Sequence, residues 1–269
     1  MNPTSRQPTL FLPHGGGPCF FMDWDPPDYW NHLGDWLRSL PALLPATPRA
    51  LLVISAHWEE TLPTVTTTEN PALIYDYGGF PPHTYQLKWP APGSPALAAR
   101  VQDLLQDAGI ASRGDADRGF DHGVFVPLLL AFPQAGIPTV QLSLRRSLDA
   151  AEHLAIGRAL APLRDEGVLI LGSGFSYHNL RAMWGGVPDA GGASRRFDDW
   201  LGAAVLSGPE TRESLLAAWT QAPDAHLCHP RAEHLIPLMV AAGAGHGDGA
   251  ECCYQGELGE IRHSGFRFG

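Results

Sequence analysis

Residues 50–58 read ALLVISAHW, an apolar run that is unbroken up to Ser55 and leads into a histidine. Its leucine and β-branched content and its length predict a strand over residues 50–55 that is buried on both faces. Such strands are typical of parallel sheets, because helices cover both faces of those sheets. Three further runs have the same character, at residues 9–13, 138–144 and 167–172. The stretch therefore predicts one strand of an α/β core.

Helical patterns alternate with these runs along the chain. They cover residues 28–40, 96–108, 124–132, 148–164, 194–206, 213–221 and 233–242. Two short runs, at residues 251–254 and 261–268, predict a terminal hairpin that closes the sheet. The alternation predicts an α/β fold with a mostly parallel central sheet that is covered by helices on both faces, in a single domain over residues 1–269.

The formal net charge of −10 excludes several classes of partner. A chain this acidic offers no basic field to nucleic acid or to an anionic membrane surface. No apolar run is long enough to span a bilayer and the N-terminus lacks the order of a signal peptide, so we expect a cytoplasmic protein. The four cysteines lack CxxC spacing, which favours reduced thiols. A homo-oligomer is compatible with the sequence, which does not fix the oligomeric state.

Three of the twelve histidines follow predicted strands. His14 comes after TLFLP and precedes three glycines, His57 ends LLVISAH, and His178 lies on the loop after the 167–172 strand. Open α/β sheets bind ligands at the carboxyl ends of their strands, so we expect these residues at one edge. Because neutral imidazole is the commonest metal ligand, two histidines at equivalent strand ends favour a metal over a structural role. His178 is expected either to bind this metal or to act beside it as an acid/base.

Two more histidines lie at predicted helix starts. His122 follows Asp121. Either Asp121 caps the predicted helix, or His122 forms part of a substrate site at the start of that helix. His234, in HPRAEHLIPL, is expected in the first turn of a helix that begins near Arg231. That segment is not HExxH, which argues against a zinc-protease site. Surface positions are predicted for six of the seven remaining histidines, those in polar or loop settings outside the HPRAEHLIPL segment that also holds His229, namely His32, His83, His153, His226, His246 and His263.

Eight motifs in the same order resemble one family over nearly the whole chain. They are LFLPHGGGP, VISAHW, YDYGGFPP, WPAPGSP, GFDHGVFVPL, PTVQLSL, GSGFSYHNL and EHLIPL. The family is that of the class III extradiol ring-cleaving dioxygenases, of the DOPA 4,5-dioxygenase type. Eight ordered motifs are far more specific than any one of them.

The resemblance implies a non-haem Fe(II) enzyme that inserts both atoms of O2 beside the paired hydroxyls of a catechol. It implies that His14, His57 and His234 are the metal ligands, and Zn(II) could occupy the same site in the isolated protein. Members of the broader class use two histidines and one glutamate. Here His234 stands at the matching position with Glu233 adjacent, so a contribution of Glu233 stays open.

The resemblance also implies roles beside the metal. His178 of YHNL corresponds to the catalytic acid/base, although in some relatives this histidine is drawn to zinc, and His122 of FDHG corresponds to a residue near the substrate. Aromatic residues are dense in the loop over residues 75–89, and Tyr77 and Phe80 of this loop are expected to contact the substrate.

Two other functional classes are compatible with the same histidines. One is a zinc-dependent hydrolase or lyase, because three neutral histidines also form a zinc-hydroxide site. The other is a non-catalytic binding protein on this fold. Serine hydrolase chemistry is unsupported, since GSGFS has Gly174 where a nucleophile elbow has serine. The sequence does not distinguish catechols, gallate-like acids and aminophenols as substrates.

Overall fold

The computed structural model describes residues 5–183 and 186–269, so that residues 1–4, 184 and 185 of the predicted domain lie outside the described part. Within that part the strands are β1 (Thr9–Pro13), β2 (Ala50–Glu60), β3 (Thr64–Thr66), β4 (Arg113–Asp115), β5 (Thr139–Arg145), β6 (Val168–Gly174), β7 (Ala250–Leu258) and β8 (Ile261–Phe268). They form one sheet in the order β4-β3-β5-β2-β6-β1-β8-β7.

Parallel pairing dominates this sheet. The pairs β1–β6, β6–β2, β2–β5 and β3–β4 are parallel, and β3–β5, β1–β8 and β8–β7 are antiparallel. The four strands predicted from apolar runs are therefore the four central ones. The α/β prediction and the predicted terminal hairpin are both confirmed.

Helices cover both faces of the sheet, as predicted. They are α1 (Asn31–Ser39), α2 (Pro95–Asp107), α3 (His122–Ala131), α4 (Ala150–Leu160), α5 (Pro162–Asp165), α6 (Leu180–Met183), α7 (Ala190–Leu206), α8 (Pro209–Ala217), α9 (Ala225–Cys228) and α10 (Ile236–Ala244). Side chains of α1 and α3 share one core cluster, and those of α2, α4, α7 and α10 share the other. None of the helices in the described ranges is long and apolar enough to cross a membrane.

Alternate residues of the central strands enter these two clusters. In β2, Leu51 and Val53 pack with α1 and α3, whereas Leu52 and Ile54 pack with the opposite layer. All four are at most 1% exposed. Burying one such side chain contributes roughly 1.5–3 kcal/mol, so the apolar runs stabilise the sheet from both sides.

Strand β2 does not end at residue 55, so His57 lies within a strand rather than at its end. The register with β5 shifts between Ile54 and Glu59, which marks a β-bulge, and pairing resumes as far as Glu60. A bulge bends the strand and re-aims its side chains. His57 still reaches the carboxyl edge because β6, the other neighbour of β2, pairs with it only up to Ser55.

Two helix predictions need correction. The helix expected over residues 148–164 is divided into α4 and α5 because Pro162, which has no N–H, begins a new turn. The helix expected from Arg231 begins only at Ile236, where Pro237 suits the first turn. His234 therefore precedes the helix and lies in a turn.

Two of the predicted surface histidines are buried. His153 and His263 are both 0% exposed. In His153, Nδ1 lies 2.6 Å from the carbonyl oxygen of Asp149, and Nε2 accepts a hydrogen bond from the N–H of Arg145 at 3.0 Å. Both ring nitrogens are thus satisfied inside the protein, which permits burial of the neutral ring.

Candidate active site

Three neighbouring strands bring the first two histidines together. Pro13 of β1 pairs with Gly174 of β6, and Ser55 of β2 pairs with Ser173. His14 follows at once, and its N–H donates to the carbonyl oxygen of Gly174 at 3.1 Å. Its Nε2 atom lies 3.1 Å from Nε2 of His57. Remote parts of the chain therefore place two ring nitrogens against each other at the carboxyl edge, as predicted.

The other three histidines of the predicted site join this pair. His122 is the first residue of α3, and its ring centroid lies 3.9 Å from that of His57. His234 and His178 stack on each other, with centroids 3.4 Å apart and planes inclined by 15°. All five sequence-predicted histidines thus form one cluster.

The spacing of His14, His57 and His234 fits a shared ion. Their ring centroids are separated by 4.9 Å (His14–His57), 5.2 Å (His14–His234) and 4.9 Å (His57–His234). A metal lies about 2.1 Å from imidazole nitrogen, which puts two rings on one ion roughly 5 Å apart. Side-chain ligand atoms approach within 4.8 Å of one another in two groups, His14 with His57 and His122, and His178 with Glu233 and His234, so the three rings are divided between these groups. The described residues therefore offer a nitrogen-rich site with a carboxylate at its border.

Hydrogen bonds fix which nitrogen of His14 faces the cluster. The Ser173 hydroxyl lies within hydrogen-bonding reach of the carbonyl of Gly123, to which it donates its one proton. It therefore accepts from Nδ1–H of His14, 3.0 Å away. The lone pair of Nε2 is left free on the side of His57, as a metal ligand requires.

Carboxylates orient three of the other rings. Nδ1 of His234 and Nδ1 of His178 lie 2.9 Å and 3.3 Å from the same oxygen of Glu233. Asp76 Oδ1 accepts from both the backbone N–H and Nδ1 of His122, at 2.9 Å and 2.8 Å. Each of these rings therefore directs a proton to a carboxylate through Nδ1 and keeps Nε2 as its basic nitrogen.

Asp121 does not cap α3 with its side chain, contrary to one reading of the sequence. Its carboxylate is fully buried and accepts from Ser55 Oγ at 2.7 Å, from Arg118 at 3.0 Å and from the side-chain amide of Gln141. Ser55 in turn accepts from the N–H of His57 at 3.2 Å. Asp121 thus supports the backbone that carries His57.

Burial keeps the central imidazoles neutral. It is the largest cause that lowers the pKa of His14 and His57 well below the usual value, and neighbouring histidines lower both further. Burial lowers the pKa of His234 to about 3, although the hydrogen bond to Glu233 acts in the opposite direction. Burial alone raises the pKa of Glu233, but hydrogen bonds from His178 and His234 outweigh it and hold that pKa far below its ordinary range. At neutral pH the site therefore combines lone pairs with an ionised carboxylate.

A cavity of about 380 Å³ opens beside the cluster. It is lined by His14, Gly15, Gly16, Gly17, Trp24, Tyr29, Trp30, His57, Phe80, His122, His178, Leu180 and His234. Phe80, one of the two residues predicted to contact the substrate, lies in this lining. Tyr77 is absent from the described lining, since its hydroxyl donates to the carbonyl of Thr84 at 2.7 Å and its ring lies 5.8 Å from that of His122.

Sequence reasoning missed several residues of this site. Asp76 was not singled out, although it stands in the YDYGGF motif. The aromatic wall formed by Trp24, Tyr29 and Trp30 was also missed. The signal was present, because residues 20–30 read FFMDWDPPDYW and are as rich in aromatic side chains as the 75–89 loop.

Residues 8–267 match the model of the family described as the catalytic LigB subunit of aromatic ring-opening dioxygenase. The chain belongs to this family. The LigB match spans the whole sheet except Phe268, the last residue of β8, and includes every histidine of the cluster. The chain is accordingly an extradiol aromatic ring-opening dioxygenase, as the order of its motifs predicts.

Curated relatives of this LigB-family chain are similar over most of their length. A 4,5-DOPA dioxygenase extradiol of Beta vulgaris is 43% identical over 240 residues, which cover 88% of this chain and 86% of the relative. The dioxygenase tasH of Hapsidospora irregularis is 41% identical over 258 residues, with coverages of 89% and 78%. A crystal structure of an uncharacterized protein from Escherichia coli K12 superposes with a TM-score of 0.78 at 32% identity, over 98% of this chain and all of that one.

Proposed function

We propose that this dioxygenase, acting as one catalytic domain over residues 1–269, uses Fe(II) and O2 to cleave the ring of a catechol-type substrate beside its paired hydroxyls. The observation that carries the proposal is the convergence of five histidines on one side of a 380 Å³ cavity. The names of several relatives, which specify an extradiol enzyme, support the same class of substrate.

His14, His57 and His234 are proposed to hold the metal. The near-equal separation of their rings and the burial that lowers the pKa of all three support this set. These three residues would hold the ion, which would supply a shared binding point for a catecholate and O2.

His178 is proposed to act as the acid/base. Its Nδ1 faces the ionised carboxylate of Glu233 at 3.3 Å, so that the proton resides on Nδ1 and the lone pair on Nε2. Nε2 can therefore take a proton from a substrate hydroxyl and later donate it as the product forms. Help of this kind contributes roughly 10²- to 10⁴-fold to a rate.

His122 is proposed to contact the substrate from the opposite side of the cluster. Asp76 holds both its backbone and its ring, which fixes the direction of Nε2. The ring of the substrate would lie between these histidines and the wall formed by Trp30 and Phe80. Aromatic side chains of this kind give a planar substrate large contact area and favour stacking.

The decisive experiment is anaerobic loading with Fe(II), followed by a screen of catechols, gallate-like acids and aminophenols. Oxygen uptake and the yellow chromophore of the ring-opened product are monitored together. Consumption of one O2 per ring-opened product supports the proposal, and absence of oxygen uptake with the whole panel contradicts it. Activity that survives strict anaerobiosis would instead indicate a zinc hydrolase or lyase. Metal content alone does not discriminate, because Zn(II) exceeds Fe(II) in affinity for such ligands.

A further inference from the structure

The loop that connects β6 to α6 carries His178, the proposed acid/base. This loop lies against the segment that carries His234, a proposed metal ligand. The N–H of Phe175 donates to the carbonyl oxygen of His234 at 2.9 Å, and the N–H of His178 donates to that of Cys228, also at 2.9 Å. Two backbone hydrogen bonds thus join the loop to residues 228–234.

A buried side chain makes a third bond, between these two. Nε2 of His229 lies 2.9 Å from the carbonyl oxygen of Ser176. Burial lowers the pKa of His229 to about 4, so that its ring carries one proton at neutral pH. Because a carbonyl oxygen can only accept, this proton resides on Nε2, which donates to Ser176. The hydroxyl oxygen of Ser176 accepts from the N–H of Ser264 at 2.7 Å, so this residue is held by both its backbone and its side chain.

The other surroundings of His229 do not call for a polar residue. It is 1% exposed, and the ring centroids of Phe197 and Trp219 lie 5.2 Å and 5.9 Å from its own. Nδ1 has no hydrogen-bond partner among the described residues. An apolar side chain would fill the same volume without an unpaired buried nitrogen, which costs free energy. The bond to Ser176 is therefore the contribution that distinguishes histidine at this position.

The direction of the His178 ring depends on the loop. On one side the ring stacks on that of His234 and its Nδ1 faces Glu233, and on the other side it borders the cavity. Protein groups thus restrain the ring from one side, and the backbone of the loop sets where it lies. A displacement of about 1 Å in a reacting group can lower a rate by roughly 10²-fold.

From these contacts we infer that His229 is a positioning residue, which acts through the Ser176 carbonyl to hold His178 in place beside the cavity. The inference rests on the proposed function, in which His178 is the acid/base. His229 is not part of the cavity lining, so its effect on the reaction is transmitted by the loop.

Two variants with side chains of similar length and volume test this inference. Glutamine can donate a hydrogen bond to the Ser176 carbonyl and methionine cannot. His229→Met is expected to lower kcat of the Fe(II)-loaded protein about 10- to 100-fold, measured with the most rapidly cleaved catechol of the substrate screen. His229→Gln should recover most of this loss. Equal values of kcat in the two variants would overturn the inference.

Binding measurements show whether the effect is confined to turnover. The affinity of His229→Met for zinc is measured by chelator competition, and that of the zinc-loaded protein for the same catechol by calorimetry under nitrogen. Both are expected to change less than about threefold, because the groups that bind metal and substrate remain. A loss of zinc affinity as large as the loss of kcat would contradict a role through His178.

His153→Met controls for the loss of a buried imidazole. His153 is also buried and bonded to the backbone, but its partners are Arg145 and Asp149, outside the cluster. Both methionine variants are expected to lower the midpoint of urea unfolding, and only His229→Met should lower kcat. A similar fall of kcat in both would refute the inference, since a general loss of stability would then account for it.

A double-mutant cycle tests whether His229 acts through His178. In the His178→Ala background, His229→Met should lower kcat by less than about threefold, because the group that it positions is already absent. If the two substitutions instead multiply their effects on kcat, His229 acts by another route and the inference is wrong.

A spectroscopic measurement separates this inference from the proposed function. Proton–nitrogen correlation spectra of the zinc-loaded protein, isotope-labelled in its histidines, report which nitrogen of each ring carries the proton. The signals of His178 are identified by their absence from His178→Ala. We expect them to shift or broaden in His229→Met and to match those of the parent in His229→Gln.

The two possible failures then differ. If the His178 signals shift in His229→Met but the parent cleaves no compound of the screen, the positioning by His229 stands and the proposed function fails. If the parent cleaves a catechol and the His178 signals are the same in His229→Met as in the parent, the function stands and the positioning fails.

Discussion

The rings of His178 and His234 stack with their centroids 3.4 Å apart, and both direct Nδ1 to the same oxygen of Glu233. One carboxylate thus orients a proposed metal ligand and the proposed acid/base together. Arg231 lies 3.2 Å from the second oxygen of this carboxylate and forms an ion pair with it. Glu233 is adjacent to His234 in the sequence, and the fold brings His178 to the same carboxylate.

Replacing Glu233 is expected to weaken metal binding. Removal of a carboxylate that orients a ligand typically costs 10- to 100-fold in affinity or activity, so Glu233→Ala should fall in about that range, with Glu233→Gln less affected because one acceptor oxygen remains. The metal affinity is measured by competition with a chromogenic chelator. Glu60→Gln serves as the control, since Glu60 pairs with Arg113 rather than with a histidine. An unchanged affinity in Glu233→Ala would mean that the carboxylate does not orient His234.

Removal of His178 is expected to separate turnover from metal binding. His178→Ala should lower kcat by roughly 10²- to 10⁴-fold, because the substrate proton loses its acceptor. The metal content, measured by elemental analysis after Fe(II) loading, should remain near that of the parent. His226→Ala, at an exposed position, is the control. Loss of the metal together with activity would instead assign His178 as a ligand.

The fold could be predicted because its signals are local. Each central strand contains a short, largely apolar run whose residues are buried on both sides, as a doubly covered sheet requires. His14 and His178 come after such strands in the chain, so the topology alone predicts that they lie at the carboxyl edge of the sheet. The bulge in β2 leaves no comparable mark in the sequence, which is why the position of His57 within the strand could not be read.

Residues that act through distant partners could not be predicted in the same way. Asp76 contacts His122 across 46 positions of sequence, and only the course of the intervening chain brings them together. His263 stands in a polar stretch, yet its ring stacks on Phe175 with centroids 4.7 Å apart. Burial of this kind depends on packing between elements, which local composition does not encode.

Asp76 is expected to be important for activity although it is not a proposed ligand. Asp76→Ala frees both the backbone and the ring of His122, and kcat/KM should fall about 10- to 100-fold. Asp76→Asn keeps an oxygen acceptor and should lose less. Steady-state kinetics of the Fe(II)-loaded protein provide the measurement, and Asp103→Ala, at an exposed position of α2, is the control. A full rate in Asp76→Ala would show that His122 needs no carboxylate partner.

Gly174 permits the close approach of the His234 backbone to β6. A Cβ atom at Gly174 would overlap the carbonyl oxygen of His234, whose acceptor bond with the N–H of Phe175 is 2.9 Å long. Gly174→Ala should therefore displace His234, with a loss of about 1–3 kcal/mol in unfolding free energy and weaker metal binding. Chemical denaturation and chelator competition test the two effects.

Gly202 provides a matched control for this substitution. It lies in α7, and a Cβ atom there would meet nothing within 4 Å. Gly202→Ala should be neutral or should stabilise the helix by roughly 0.5–1 kcal/mol. If Gly174→Ala behaved like Gly202→Ala in both stability and metal affinity, the backbone of His234 would not depend on this contact.

His263 is expected to make stability depend on pH. Burial is the main cause that lowers its folded-state pKa to about 4, from an unfolded value of 6.5. Between these two values the unfolded chain binds more protons than the folded protein, so the free energy of unfolding falls as the pH decreases from about 6.5 towards 4. The shift corresponds to roughly 3 kcal/mol when the window is fully crossed. Above pH 6.5 this contribution is fully present.

The variant His263→Gln isolates this effect. Urea unfolding of the metal-free protein at several pH values between 7 and 4.5 should give a shallower slope of unfolding free energy against pH than in the parent, because one titrating ring is gone while the other buried histidines remain. The absolute stability will also fall, since the stacking on Phe175 is lost, and for this reason the slope is the quantity compared. His226→Gln removes an exposed imidazole and should leave the slope unchanged. Equal slopes in His263→Gln and the parent would contradict a lowered pKa of His263 in the folded protein.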